Sequence, residues 1–294
     1  MTRINRLLAA TDLSAPARHA AERAALLANL HGATLDLLHV TAAGPLDKLR
    51  RLVREIPVEA EQRLLDAVRE DLRQLAASLQ HHHGVAAGIH VVTGAVVPRL
   101  NERADAMGAD MVVLGARGAG FMQHLLLGST AEKMLSRATR PLLVVKQPPH
   151  ENYRRLLVPV DFSPASLPSL RIARAVAPMA EIVLLHAFDV PFEGKLRLAG
   201  VPEDTVVQYR TAAREEALQR MRQLLADAGI LPEAALLLVQ HGDPWRHIIE
   251  QEQEQDCDLI VMGRRGESPL EEFLLGSVTK HVLADCQGDV LVSV

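Results

Sequence analysis

Residues 115–130 read GARGAGFMQHLLLGST, and residues 263–278 read GRRGESPLEEFLLGSV. Both follow one skeleton: glycine, two residues, glycine, nine residues, glycine, serine. Each is preceded by a short apolar run that ends on its first glycine, ADMVVLG (109–115) and CDLIVMG (257–263). A short apolar run closed by glycine and followed by a segment of helical period is a buried strand, a turn and a helix. The same strand, loop and helix therefore stand twice in one chain.

The repeat extends outward from that stretch in both directions. RLLAATDLS (6–14) matches RLLVPVDFS (155–163), LDLLHV (35–40) matches IVLLHA (182–187), and TGAVVPRL (93–100) matches HGDPWRHI (241–248). The offset stays between 147 and 149 residues, so the copies are colinear. Leucine-rich and β-branched runs alternate with longer helical segments, which is the pattern of βαβ units on a parallel sheet. Strands are expected near 4–10, 34–40, 86–93, 110–115 and 141–146, and near 154–160, 181–187, 235–240, 258–263 and 289–294. The longest helices are expected from Val58 to His82 and from Glu203 to Ala228. The stretches 41–57 and 188–202 read as loops, and KQPPHENY (146–153), with Pro148 and Pro149, reads as the linker.

The 294 residues suit two domains, each able to bury its own core. Apolar residues make up 48% and aromatic residues only 3%, so Leu, Val, Ala and Ile must fill the interior. No apolar run reaches the roughly 18 residues of a membrane span, and MTRINRLLAATDLS is not expected to be a secretory signal. A cytoplasmic location is expected. The net charge of −4 argues against a nonspecific nucleic-acid binder. That total divides unevenly: residues 1–150 carry 18 basic and 14 acidic side chains, and residues 151–294 carry 14 and 22. The halves thus stand at +4 and −8.

A glycine-rich turn leading into a helix N-terminus offers backbone N–H groups and the positive end of the helix dipole, a seat for phosphate. Capping is the competing explanation. Ser129 and Glu132 have the spacing of a capping box, and Ser14 and Ser163 read as helix caps beside Asp12 and Asp161. Neither loop carries the lysine of a Walker A motif, and no G-x-G-x-x-G follows the first strand of either copy, which argues against a nicotinamide dehydrogenase. Cys257 and Cys286 have no metal or disulfide spacing. His81, His82 and His83 precede Gly84 at a helix end and read as solvated, and no metal site is expected. His39 and His186 fall at equivalent strand ends beside the expected pocket.

Taken together, the G-x2-G-x9-G-[ST] loop, the strand before it and the endings TDLS and VDFS resemble the universal stress protein family, over essentially the whole chain as two tandem copies. The resemblance implies two tandem Rossmann-like (HUP-type) α/β domains, 1–147 and 152–294, each a five-stranded parallel sheet flanked by helices. It also implies ATP or ADP as ligand, with or without Mg. Carried over by position, Gly115, Arg117, Gly118, Gly128, Ser129 and Thr130 would hold phosphates and ribose, and Asp12 and Val40 would contact the adenosine. Asp161, Ala187, Gly263, Gly266, Gly276 and Ser277 are the weaker second-copy equivalents.

Fast phosphoryl transfer needs a cation clamp and a group that positions the nucleophile, so slow ATP hydrolysis is the most that is expected. The expected role is a nucleotide-dependent regulator or scaffold in stress response. The alternative is a stress-related scaffold with degenerate pockets or a non-nucleotide metabolite. The first loop has no acid between its outer glycines, whereas the second places Glu267, Glu271 and Glu272 there, so triphosphate is expected to prefer the first. The closing strands PLLVVK (141–146) and DVLVSV (289–294) are apolar and need cover. In single-copy family members this strand commonly pairs two subunits, so the two domains are expected to pair through it. Homo-oligomers and further protein partners are left open.

Overall fold

The computed structural model describes residues 3–42, 58–118, 127–189, 198–199, 201–264 and 275–294. The chain divides into two compact units, Arg3–Asn152 and Tyr153–Val294. In the first, the elements run β1 (Arg6–Ala10), α1 (Ala15–His31), β2 (Thr34–Ala42), α2 (Val58–His83), β3 (Ala87–Gly94), α3 (Val96–Met107), β4 (Met111–Gly115), α4 (Ser129–Ser136) and β5 (Leu142–Val145). Its strands are parallel, in the order β3-β2-β1-β4-β5.

The second unit repeats this with β6 (Arg155–Pro159), α5 (Ser166–Val176), β7 (Glu181–Phe188), α6 (Glu203–Ala228), β8 (Ala235–His241), α7 (Pro244–Glu254), β9 (Leu259–Gly263), α8 (Ser277–Asp285) and β10 (Asp289–Ser293). Its strands are parallel in the order β8-β7-β6-β9-β10. The molecule is thus two tandem Rossmann-like domains. All ten expected strands are present, and the two longest helices fall where the sequence put them.

The apolar runs form these strands because a parallel sheet is covered on both faces, so every residue of a central strand must be apolar. Leu7, Leu8 and Ala9 of β1 and Met111, Val112 and Val113 of β4 are buried. Against them α1 presents Ala17, Ala20, Ala21, Ala24, Ala25 and Ala28, short side chains that let the helix lie close to the sheet. Its end is set by Gly32 at φ 63, a left-handed cap.

Both units share one polar clasp at the amino ends of the strands. Asp110 Oδ2 accepts from the Asn5 and Arg6 N–H groups at 2.7 and 2.9 Å, and Asp258 Oδ2 accepts from those of Arg154 and Arg155. Arg6 donates to the Met107 carbonyl at 2.8 Å and Arg155 to that of Gln255 at 2.6 Å. These groups would otherwise be unsatisfied where the strands begin.

The capping expectations need correction. The cap of α4 is Gly128, with no side-chain cap bond, and Ser129 is the first helical residue, so Ser129 and Glu132 form no capping box. Ser14 does occupy the cap position of α1 without bonding as a cap; its hydroxyl donates to Asp12 Oδ1 at 2.5 Å. The cap of α5 is Ala165, not Ser163. In both copies the aspartate two residues earlier takes the serine N–H, an Asx turn that competes with capping.

Candidate functional site

The chain order reverses between β1 and β4, so the loops after these strands diverge and leave a crevice at their carboxyl ends, where open α/β sheets hold ligands. A cavity of about 410 Å³ lies there, within the range of small-molecule sites. Asp12, Val40, Gly115, Arg117, Gly118, Gly128, Ser129 and Thr130, the eight first-copy residues selected from sequence, all line it. Ala10, Leu38, Val96, Leu100 and Leu114 give it apolar walls.

Local chemistry explains each placement. Asp12 stands just past β1, where its Oδ1 accepts the Ser14 N–H at 3.1 Å. The turn puts Leu13 at φ 66, and Phe162 repeats this at φ 62. A branched or bulky residue there is strained, and its recurrence marks the turn as a shared device. At the loop, Gly128 donates its N–H to the Ala116 carbonyl at 2.7 Å, so that donor belongs to the turn. The first bond within α4 runs from Glu132 N to Gly128 O. The N–H groups of Ser129, Thr130 and Ala131 therefore stand outside the helical ladder, and these three residues border the cavity.

Two glycines answer to packing. A Cβ on Gly115 would come within 2.8 Å of the Pro16 carbonyl oxygen, and one on Gly118 within 2.6 Å of Asp12 Oδ2. The fold itself requires the first, because α1 passes against it.

His39 sits one residue before Val40, and burial holds its imidazole below the usual range, against the Thr11 carbonyl and the Asp12 charge, which pull the other way. Burial pushes the Cys257 thiol up to about 12, and the Cys257 and Cys286 side chains are both buried. Among the described residues no group of three or more His, Cys, Asp or Glu side chains is arranged for a metal ion. No described helix is long and apolar enough to cross a membrane.

In the second unit Asp161 Oδ1 accepts from the Ser163 N–H at 3.0 Å and the Ser166 hydroxyl at 3.1 Å. Ala187 pairs with Gln240 within the sheet. Gly263 closes β9, and its carbonyl accepts from Thr279 Oγ1 at 3.1 Å. Gly276 donates to the Arg264 carbonyl at 3.0 Å, matching Gly128, and Ser277 opens α8. Gly266, Glu267, Glu271 and Glu272 lie outside the described residues. Beside this site His186 Nδ1 is 2.8 Å from the Val160 carbonyl oxygen, and the Phe162 ring lies 4.4 Å from the His186 ring and 4.1 Å from the Arg220 guanidinium.

Sequence reasoning missed Val96 and Leu100 as cavity walls. Their signal was present, since TGAVVPRL recurs as HGDPWRHI and the two residues are one helical turn apart.

The family model for universal stress proteins matches this chain twice, over residues 3–146 and 152–293. The chain belongs to the universal stress protein family. It is 27% identical over 296 residues to a universal stress protein of Mycolicibacterium smegmatis, covering 97% of this chain and 96% of the relative. It is 32% identical over 143 residues to the universal stress protein MJ0531 of Methanocaldococcus jannaschii, covering 48% of this chain and 81% of that one. The fold is similar to a universal stress protein of Archaeoglobus fulgidus, with a TM-score of 0.73 at 19% identity and 99% of both chains covered. A putative universal stress protein of Pseudomonas aeruginosa gives 0.61 at 19% identity, with 99% of this chain and 93% of that one covered.

Proposed function

We propose that the first-unit cavity of this universal stress protein binds an adenine nucleotide, ATP or ADP, and that the bound state is read by protein partners or by assembly in a stress response. The observation that carries the reading is the composition of the cavity. Apolar walls from β2, α3 and β4 suit a base, and the α4 N-terminus with Ser129, Thr130 and Arg117 suits phosphate. Ser129 opens α4 and borders the cavity, which places its hydroxyl within the proposed phosphate seat. When bound, the nucleotide supplies the phosphoanhydride; the chain's own residues orient it and shield the base from water. Mg accompanies the phosphates in this reading, and turnover is at most slow. The reading extends to the second unit with lower affinity. The location is cytoplasmic, and the two domains pair through β5 and β10, each the edge of its own unit's strand order.

Titration of ligand-free protein with ATP and ADP tests this, together with a thermal scan. A ligand at about 100 times its dissociation constant should stabilise the native state by roughly 2.7 kcal/mol. Gly128→Val, whose side chain meets the Ala116 carbonyl oxygen already 3.2 Å from a bare Cβ, should abolish the first-site isotherm. Absence of heat and of stabilisation with every adenine nucleotide would leave the non-nucleotide scaffold reading in its place.

A further inference from the structure

The wall of the cavity formed by α3 and β2 continues, beyond the cavity, into an ionic cluster. On β2, Asp36, Leu38 and Val40 alternate onto one face of the sheet. On α3, Val96, Leu100 and Arg103 fall at i, i+4 and i+7, one stripe of the helix. Leu38, Val40, Val96 and Leu100 line the cavity; Asp36 and Arg103 close the same seam. Arg103 NH2 donates to Asp36 Oδ2 at 2.6 Å and meets Nε2 of His90, on β3, at 2.6 Å. The same His90 nitrogen is 3.0 Å from Asp36 Oδ2. Guanidinium only donates, so Nε2 accepts from Arg103 and cannot at the same time donate to Asp36. Arg103 is thus the pivot that holds both partners.

Three facts set this cluster apart from ordinary packing. It has no counterpart in the second unit, where the equivalent residues are Val183, Leu238 and Gln251. The backbone makes room for it: a Cβ on Gly88 would overlap the Asp36 carboxylate, and the second unit has Leu236 there. It is also incompletely satisfied, since Arg103 Nε is buried without a hydrogen-bond partner. Partly buried charge of this kind contributes little net stability, and apolar residues of similar volume are often as stable or more so. What it does supply is direction. A planar guanidinium whose one terminal nitrogen reaches both Asp36 and His90 fixes where a helix sits along a strand more sharply than leucines that slide.

We propose that Asp36, Arg103 and His90 form a positioning latch that sets α3 against β2 and thereby the width of the adenine slot in the first unit. The latch touches no ligand, so its members are positioning residues. It rests on the reading of the cavity as a nucleotide site. The second unit, which carries the uncharged residues Val183, Leu238 and Gln251 at this place, has no such latch.

The test uses the full chain. The triple variant Asp36→Val/His90→Leu/Arg103→Gln gives the first unit the second unit's residues at the seam, and Arg103→Lys keeps the charge but removes the planar guanidinium. ATP titration, the ligand-free thermal midpoint and amide exchange across residues 96–107 are measured for both and for wild type. The expected result is ATP binding weaker by roughly tenfold in the triple variant, an intermediate loss in Arg103→Lys, faster exchange in α3, and no drop in the ligand-free midpoint. Unchanged ATP affinity in the triple variant overturns the latch, and so does an affinity loss that merely follows a falling midpoint. If the triple variant does not fold, Arg103→Lys carries the same comparison. Wild type that binds no adenine nucleotide overturns the reading of the cavity instead.

Discussion

The two units keep the same clasp at the amino ends of their strands and differ at the carboxyl ends and along one seam. Asp110 and Asp258 make equivalent bonds to the start of β1 and β6. At the other end, Ala17, Val40 and Ala131 of the first unit become Ser166, Ala187 and Thr279, and two of these replacements form new hydrogen bonds, to Asp161 and to the Gly263 carbonyl. Along the seam the ionic cluster of the first unit is replaced in the second by the uncharged Val183, Leu238 and Gln251. Duplication fixed the fold, and divergence then acted where fold did not constrain it.

The comparison breaks most readily at Gly115. Its missing Cβ is demanded by the Pro16 backbone, so Gly115→Val should destabilise the first unit by about 3 kcal/mol, an overpacking cost against backbone that cannot move aside. Urea unfolding should show it; a stable variant would mean that α1 can shift without cost.

The next effect belongs to the second unit. Tyr153, at the start of that unit, donates its hydroxyl to buried Asp289 at 2.6 Å, and the first unit has Ile4 and Pro141 at these places. Tyr153→Phe should cost about 2 kcal/mol, the loss of a charge-assisted bond in a dry site. A change within a few tenths of a kcal/mol, read from the same unfolding curves, would show that Asp289 finds full compensation elsewhere.

A smaller difference is expected between the two candidate sites. ATP should bind the first roughly tenfold more tightly, about 1.4 kcal/mol, because the second half is acidic and its loop contains Glu267, Glu271 and Glu272. Titration of Gly128→Val against Gly276→Val compares them. Tighter binding in the protein that retains only the second site would reverse the expectation.

The smallest effect concerns His39. Its folded value is depressed from 6.5 by burial, so the unfolded chain takes up this proton first as pH falls. Its contribution is complete above 6.5 and is lost as pH drops through the lower folded value. His39→Gln should reduce the stability difference between about pH 7.5 and pH 5.5. An unchanged difference would place the titration elsewhere.

The strand positions are legible in the amino-acid sequence, because fully buried parallel strands are written as unbroken apolar runs. The eight first-copy residues are carried over from the family resemblance, and they border one cavity because loop residues at strand ends converge where a Rossmann-like sheet reverses its order. The capping assignments fail for a physical reason: serine beside aspartate can cap a helix or close an Asx turn, and the local sequence is the same for both. The Asp36, His90 and Arg103 cluster is not legible either. The three residues come from three separate elements, and nothing in their spacing says that they meet.

By itself the sequence determined that one α/β unit occurs twice, where each strand falls, and which loop faces the carboxyl ends. Period and repetition carry that information, and both are local or nearly so. Tertiary structure alone decided what each glycine is for: Gly115 makes room for α1, Gly118 for Asp12, and Gly128 gives its N–H to a turn. A glycine says only that a side chain is absent. What approaches the vacated space is set by chain brought in from a distance.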